Sequence, residues 1–183
     1  MALPVFSTDR SVMLLIDVQG RLAEMMYGRD DLFKSLKVLI QAMKILDVPI
    51  IWLEQLPDKL GPTREEILPL LDDFSPIAKS SFSCCGEPAF MEQFKQTGRD
   101  QVILTGIETH ICVCQTGCEL IRNGSQVQVV ADCVSSRTRE NRDIGIRRLM
   151  QAGAQITSVE MLLFELLKDA KTELFRDIVG LIK

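Results

Sequence analysis

Three residues in the sequence have the types and positions for nucleophilic chemistry. Cys112 stands in the run Thr105-Gly106-Ile107-Glu108-Thr109-His110-Ile111-Cys112-Val113. Before the turn, Gln101–Thr105 reads as a short buried strand. After it, Val113, Gly117, Leu120 and Ile121 recur at helical spacing as far as Asn123-Gly124. The cysteine is therefore expected where a strand has turned and a helix begins. Free N–H groups and the positive dipole end of a helix favour a thiolate over a thiol. The same N–H groups can hold the oxyanion that forms when a nucleophile adds to a carbonyl. Asp17 follows the apolar run Val12-Met13-Leu14-Leu15-Ile16, and Lys79 closes a shorter strand-like run from Ser75. Taken singly, a strand-end aspartate turns the chain, a lysine is solvated and a cysteine fills space. Together they form a working set. Asp17 accepts the thiol proton and returns it to a leaving group, Lys79 holds Asp17 and favours the thiolate, and Cys112 attacks a carbonyl carbon.

The elements that must position this set alternate along the chain. Ser11–Val18, with its run of apolar residues, has the character of a central parallel strand buried on both faces. Asp31–Asp47 carries Leu32, Leu36, Leu39, Met43 and Leu46 at helical spacing, and Val48–Leu53 is a second strand. A polar connection, Glu54–Thr63, and a short helix over Arg64–Leu71 lead to the third strand at Ser75–Lys79. Ser80–Pro88 is a loop, and Pro88–Thr97 is a helix opened by its proline and closed by Gly98. Gln126–Val130 is the fifth strand and Ala131–Thr138 a loop. Arg139–Ala152 is a helix with Ile144, Leu149 and Ala152 inward, and Gly117 in the preceding helix is expected to meet another backbone closely. Gln155–Thr157 is a sixth strand, and Ser158 and Thr172 open two terminal helices. Alternation of this kind argues an α/β fold with a mostly parallel sheet, read as one domain over residues 1–183. Ligands of such sheets bind outside the carboxyl ends of the strands, where all three chemical residues fall.

Composition removes several alternatives. The 183 residues are 46% hydrophobic with net charge −4, so no basic face points to nucleic acid or an acidic membrane. No apolar run approaches the roughly 20 residues that a membrane span needs. No targeting signal is read before the first strand, and a cytoplasmic setting is expected. The six cysteines, Cys84, Cys85, Cys112, Cys114, Cys118 and Cys133, are spaced poorly for disulfides and fit reduced thiols. There is no Cys-x-x-Cys pair and one histidine, so no metal is expected. The turn Asp17-Val18-Gln19-Gly20-Arg21 lacks Gly-x-Gly-x-x-Gly, which disfavours a nucleotide, and no cofactor is expected.

Leu15-Ile16-Asp17-Val18-Gln19, Lys79 followed by Ser80-Ser81-Phe82, and Gly106-Ile107-Glu108-Thr109-His110-Ile111-Cys112-Val113 resemble the three motifs of the isochorismatase-like cysteine hydrolases. That superfamily includes nicotinamidases and N-carbamoyl amide hydrolases, and the resemblance covers nearly the whole length. Glu54-Gln55, Leu60-Gly61-Pro62-Thr63 and Ser135-Ser136-Arg137 bring the chain nearest the small isochorismatase domain-containing proteins. The resemblance implies a three-layer sandwich around a six-stranded sheet ordered 3-2-1-4-5-6. It also implies an Asp–Lys–Cys triad at Asp17, Lys79 and Cys112, and a cis peptide between Ile107 and Glu108. That bond would aim the Glu108 N–H beside the Cys112 N–H as an oxyanion hole. A homo-oligomer, dimer or tetramer, is implied as well. Metal-binding nicotinamidases carry Asp-x-His after the second strand; here Trp52-Leu53-Glu54-Gln55 has no histidine. Isochorismatases cleave a vinyl ether, and some use no cysteine. Cys112 favours covalent acyl chemistry on a small amide or related carbonyl compound, a C–N bond outside peptides.

Around the triad, Gln19 is expected to bind substrate polar groups or the neighbouring loop, and Phe82 and Trp52 to wall the pocket. His110 is expected to line the turn. Arg137 is expected to read a carboxylate at the site's edge or to pair with a surface acid. The rival reading is a catalytically inert oligomeric interaction module on the same fold, docking through terminal helices rich in Leu and Phe.

Overall fold

The computed structural model describes residues 4–183, so the first three residues of the expected 1–183 domain lie outside it. Six parallel strands form one sheet in the order β3-β2-β1-β4-β5-β6. They are β1 Ser11–Ile16, β2 Ile50–Gln55, β3 Ile77–Lys79, β4 Gln101–Ile107, β5 Gln126–Ser135 and β6 Gln155–Thr157. β1 is buried throughout because β2 and β4 flank it and helices cover both its faces. Side-chain alternation divides the core in two. Met13, Leu15, Ile50, Trp52 and Ile103 pack on one face with the helices α2 (Arg29–Ile45), α7 (Val159–Leu167) and α8 (Phe175–Ile182). Val12, Leu14, Ile51, Leu53 and Leu104 pack on the other with α4 (Pro88–Thr97), α5 (Cys114–Arg122) and α6 (Arg139–Ala152). The two remaining helices, α1 (Gly20–Glu24) and α3 (Pro57–Leu60), are single short turns after β1 and β2. Among the described residues no helix is long and apolar enough to cross a membrane.

Capping follows the sequence signals at several ends. Pro88 opens α4, Gly98 closes it at φ +63°, and the Thr138 hydroxyl accepts from the Asn141 N–H at 3.2 Å to start α6. Other boundaries differ. β4 runs on to Ile107 because Gly106, at φ +112°, lies against the backbone of Ile16, where a Cβ would stand 2.1 Å from its carbonyl oxygen. β5 does not stop at Val130. A register shift carries the chain past Asp132, and Val134 and Ser135 rejoin the ladder opposite Gly106 and Ile107. Arg64–Leu71 forms only a single 3₁₀ turn, Leu68–Leu70. Ile144 is half exposed, so α6 turns Leu149 inward without it. Gly117 meets the side chains of Leu149 and Leu104 and not a backbone. In the terminal helices Leu162, Leu163, Leu166, Leu167 and Ile178 face the core, leaving Met161 and Phe164 exposed, together with Leu174 just before α8.

Candidate active site

Register places the chemical residues. Ile16 pairs with Leu53 of β2 and Gly106 of β4, and Gln55 of β2 pairs with Lys79 of β3. The carboxyl ends of four adjacent strands are thus level, with the switch in strand order between β1 and β4. Asp17 follows Ile16 at φ +55°, a left-handed conformation that aspartate tolerates better than most residues, and this turns the chain off the sheet. Gly106 and the cis bond Ile107–Glu108 lead from β4 into a single π-helical turn, Thr109–Val113. Cys112 sits inside this turn, two residues before α5 begins at Cys114, and the Val113 N–H reaches back to the Glu108 carbonyl at 3.3 Å.

Asp17 and Lys79 form a sealed pair. The Lys79 Nζ donates to Asp17 Oδ2 at 2.8 Å, to Gln55 Oε1 at 2.5 Å and to the Ser81 carbonyl at 3.2 Å. The lysine side chain is 0% exposed and that of Asp17 3%. The other carboxylate oxygen, Asp17 Oδ1, is buried and has no hydrogen-bond partner among the described residues, and neither has the Thr109 hydroxyl of the turn that carries Cys112. Burial raises the pKa of Asp17, while the Lys79 charge and hydrogen bond and the neighbouring Cys112 thiol pull it down. The thiol does not behave as its place near a helix start predicts. Burial pushes Cys112 up to about 12, and the charge of Asp17 pushes the same way against Lys79. The resting sulfur is therefore protonated, with a carboxylate beside it that has one free oxygen. The sequence shows the lysine and the helix end but not the desolvation that outweighs them.

The residues expected around the triad divide. Phe82, on the loop after Lys79, is 58% exposed. Gln19 takes the second of its two expected roles, binding the neighbouring loop: it is fully buried and both ends of its amide are engaged by main chain. Its Nε2 donates to the Gln55 and Gly61 carbonyls at 3.2 and 2.7 Å, and its Oε1 accepts from the Gln55 N–H at 2.6 Å. Trp52 is a core residue on the opposite face of the sheet from Cys112, and its Nε1 donates to the Thr63 hydroxyl at 2.8 Å. The reason is the two-residue period of β2, which sends Trp52 and Glu54 to one face and Leu53 and Gln55 to the other. Glu54 in turn accepts from the N–H and hydroxyl of Thr63 at 2.6 and 2.7 Å, so the segment between β2 and Thr63 is strapped to the sheet.

A second polar group lies at the turn. The buried Glu108 carboxylate accepts from Arg137 Nε at 2.9 Å and from the Arg137 N–H at 3.2 Å. His110 Nδ1 is 3.0 Å from the Ser136 hydroxyl, so the histidine lines the turn. Arg137 pairs with this buried acid and not with a surface one. Cys84, on the loop after β3, is fully buried within the same cluster as Cys112, and its N–H donates to the Thr116 hydroxyl of α5 at 3.0 Å. Gln55, whose amide oxygen accepts from Lys79 Nζ, is not among the residues expected at the site. Its signal was available, because β2 and β3 end together and Gln55 falls on the nucleophile's side.

Comparison with known proteins agrees with this architecture. The isochorismatase domain profile matches residues 11–161. Isochorismatase domain-containing protein 2 of Danio rerio is 35% identical over 176 residues, covering 96% of this chain and 88% of the relative. A Caenorhabditis elegans structure described as MAR1 ribonuclease superposes with TM-score 0.92 at 31% identity, covering 98% of this chain and 92% of the other. The YcaC product of Escherichia coli, described as an octameric hydrolase of unknown specificity, superposes with TM-score 0.90 at 22% identity over 100% of this chain and 96% of its own, a likeness of fold alone. With a profile across most of its length and relatives matched nearly end to end, the chain belongs to the isochorismatase family, among its isochorismatase domain-containing proteins, and has that family's hydrolase fold.

Proposed function

We propose that the protein is a cysteine hydrolase of a small amide or related carbonyl compound, acting on a C–N bond outside peptides. The observation that carries the reading is the sealed Asp17–Lys79 pair, whose Asp17 carboxylate acts directly on the Cys112 thiol and has Oδ1 free of any hydrogen bond from the described residues. Asp17 takes the thiol proton as the sulfur adds to the carbonyl carbon, which answers how a thiol held near 12 can attack at neutral pH. The backbone N–H groups of Glu108 and Cys112 receive the oxyanion. Asp17 returns the proton to the departing amine, and water, deprotonated by the same carboxylate, releases the acid from the thioester and regenerates the thiol. Phe82, exposed on the loop after Lys79, is taken to wall the pocket. The reading takes residues 1–183 as one hydrolase domain, a homo-oligomer, with its six thiols reduced in the cytoplasm; the free cysteines are consistent with that setting.

The test is a panel of amides, carbamoyl compounds and esters read by turnover, with intact mass to trap an acyl adduct. Cys112→Ala is expected to abolish both turnover and adduct. Asp17→Asn is expected to lose turnover although it removes the charge that holds the proton on sulfur. An inert interaction module predicts no turnover across the panel and no adduct on Cys112. The ribonuclease description of the nematode relative gains no support from this chain: its net charge is −4, and His110 Nδ1 is engaged by Ser136.

A further inference from the structure

We propose that Gln55 is a positioning residue of this site, fixing the Lys79 ammonium between a neutral acceptor and the Asp17 carboxylate. The inference rests on the Asp17–Lys79–Cys112 reading and adds a component to it. Gln55 and Lys79 are register partners at the ends of β2 and β3, so their side chains leave the same face of the sheet. An ammonium has three N–H bonds to place, and here Gln55 Oε1, Asp17 Oδ2 and the Ser81 carbonyl take them.

Gln55 itself has little freedom. Its Nε2 donates to the Ser80 carbonyl at 2.8 Å, and its own N–H and carbonyl are clasped by the Gln19 amide. The clamp therefore runs from Gln19 through Gln55 to Lys79 and Asp17. Its chemical effect is to divide the positive charge. An ammonium resting wholly on Asp17 would leave a weaker base, and one drawn away would leave a protonated acid. The titratable groups on the pair's side of the sheet are Cys84 of the loop after β3 and Cys112, and the Glu54 carboxylate acts on Asp17 through its charge from the other face, where it is held by Thr63.

Two substitutions of nearly the same size act in opposite senses. Gln55→Glu sets a second negative charge on the ammonium and weakens its pull on the thiol proton. Gln55→Met removes the acceptor and leaves more of the positive charge for Asp17 and Cys112. The readout is the rate of iodoacetamide alkylation at the Cys112 peptide, followed by mass spectrometry across neutral and mildly alkaline pH, which needs no known substrate. At fixed pH the Glu variant is expected to react about tenfold more slowly and the Met variant about threefold faster, as follows from shifts of about one and about half a pKa unit. Rates that coincide with wild type, or that move the same way in both variants, overturn the proposal, since a merely structural role changes melting temperature and not the pH profile. Should the Met variant not fold, the sign of the isosteric Glu variant decides. Asp17→Asn is the control for the parent reading. Removing that carboxylate shifts the Cys112 profile to lower pH whatever Gln55 does. Without that shift the triad reading falls, and the role of Gln55 with it.

Discussion

Two ion pairs lie at the carboxyl edge of the same sheet and have nearly the same length. Lys79 and Asp17 meet at 2.8 Å, Arg137 and Glu108 at 2.9 Å. The first pair is 0% and 3% exposed, whereas in the second the arginine is 53% exposed and only the glutamate, at 7%, is sealed. Length alone says that they are equivalent; surroundings say that they are not. In the sealed pair each charge depends on the other, because water cannot replace a lost partner. In the half-open pair solvent screens the guanidinium, and the bond is a brace for the turn that carries Cys112 more than a source of energy.

The contrast can be broken most directly by stability. Lys79→Met strands a buried carboxylate and Asp17→Asn strands a buried ammonium, each expected to destabilise by about 3–5 kcal/mol in denaturant melts. The double variant is expected to be more stable than either single, since neither charge is then left alone. If the two losses simply add, the sealed pair is no different in kind from the other. A smaller effect lies in pH. The raised pKa of Asp17 means that the carboxyl is protonated, and idle as a base, at pH values above its ordinary 3.8. The sign for stability is the reverse. The fold holds this proton more tightly than the unfolded chain does, so the contribution of Asp17 is fully present below 3.8 and is lost as pH rises through the folded value. Turnover and melting temperature followed over one pH series should show activity rising through the interval in which that contribution falls. The smallest change is expected from Arg137→Ala, at most about 1 kcal/mol and weakened further by salt, because its guanidinium is half in water. A loss as large as that of Lys79→Met would show that burial does not separate the two pairs.

Most of the fold was legible because parallel strands buried on both faces leave unbroken apolar runs, and Pro88, Gly98 and Gly153 punctuate the helices. Site residues were legible where a polar side chain ends such a run, as Asp17 and Lys79 do. Two kinds of information were not. One is side-chain direction: Trp52 was read as a pocket wall, although counting alternately along β2 puts it with Glu54, away from the face that carries Leu53 and Gln55. The other is desolvation. The sequence shows a cysteine near a lysine and a helix start, but burial is a property of the assembled fold, and it reverses the expected ionisation of Cys112. The extension of β5 was hidden for a similar reason. Asp132 interrupts the apolar run, yet it is exposed at a break in register while its carboxylate caps α7 through the Val159 N–H at 3.0 Å.

The strap that crosses from β2 to Thr63 carries its own optical label. Trp52 is the single tryptophan of the chain, and its indole N–H is tied to the Thr63 hydroxyl. Emission from this one fluorophore should move to longer wavelength when the strap lifts and water reaches the ring, before the strands themselves come apart. Opening of the segment beside the site can thus be followed without a dye, a cofactor or any knowledge of what the protein hydrolyses.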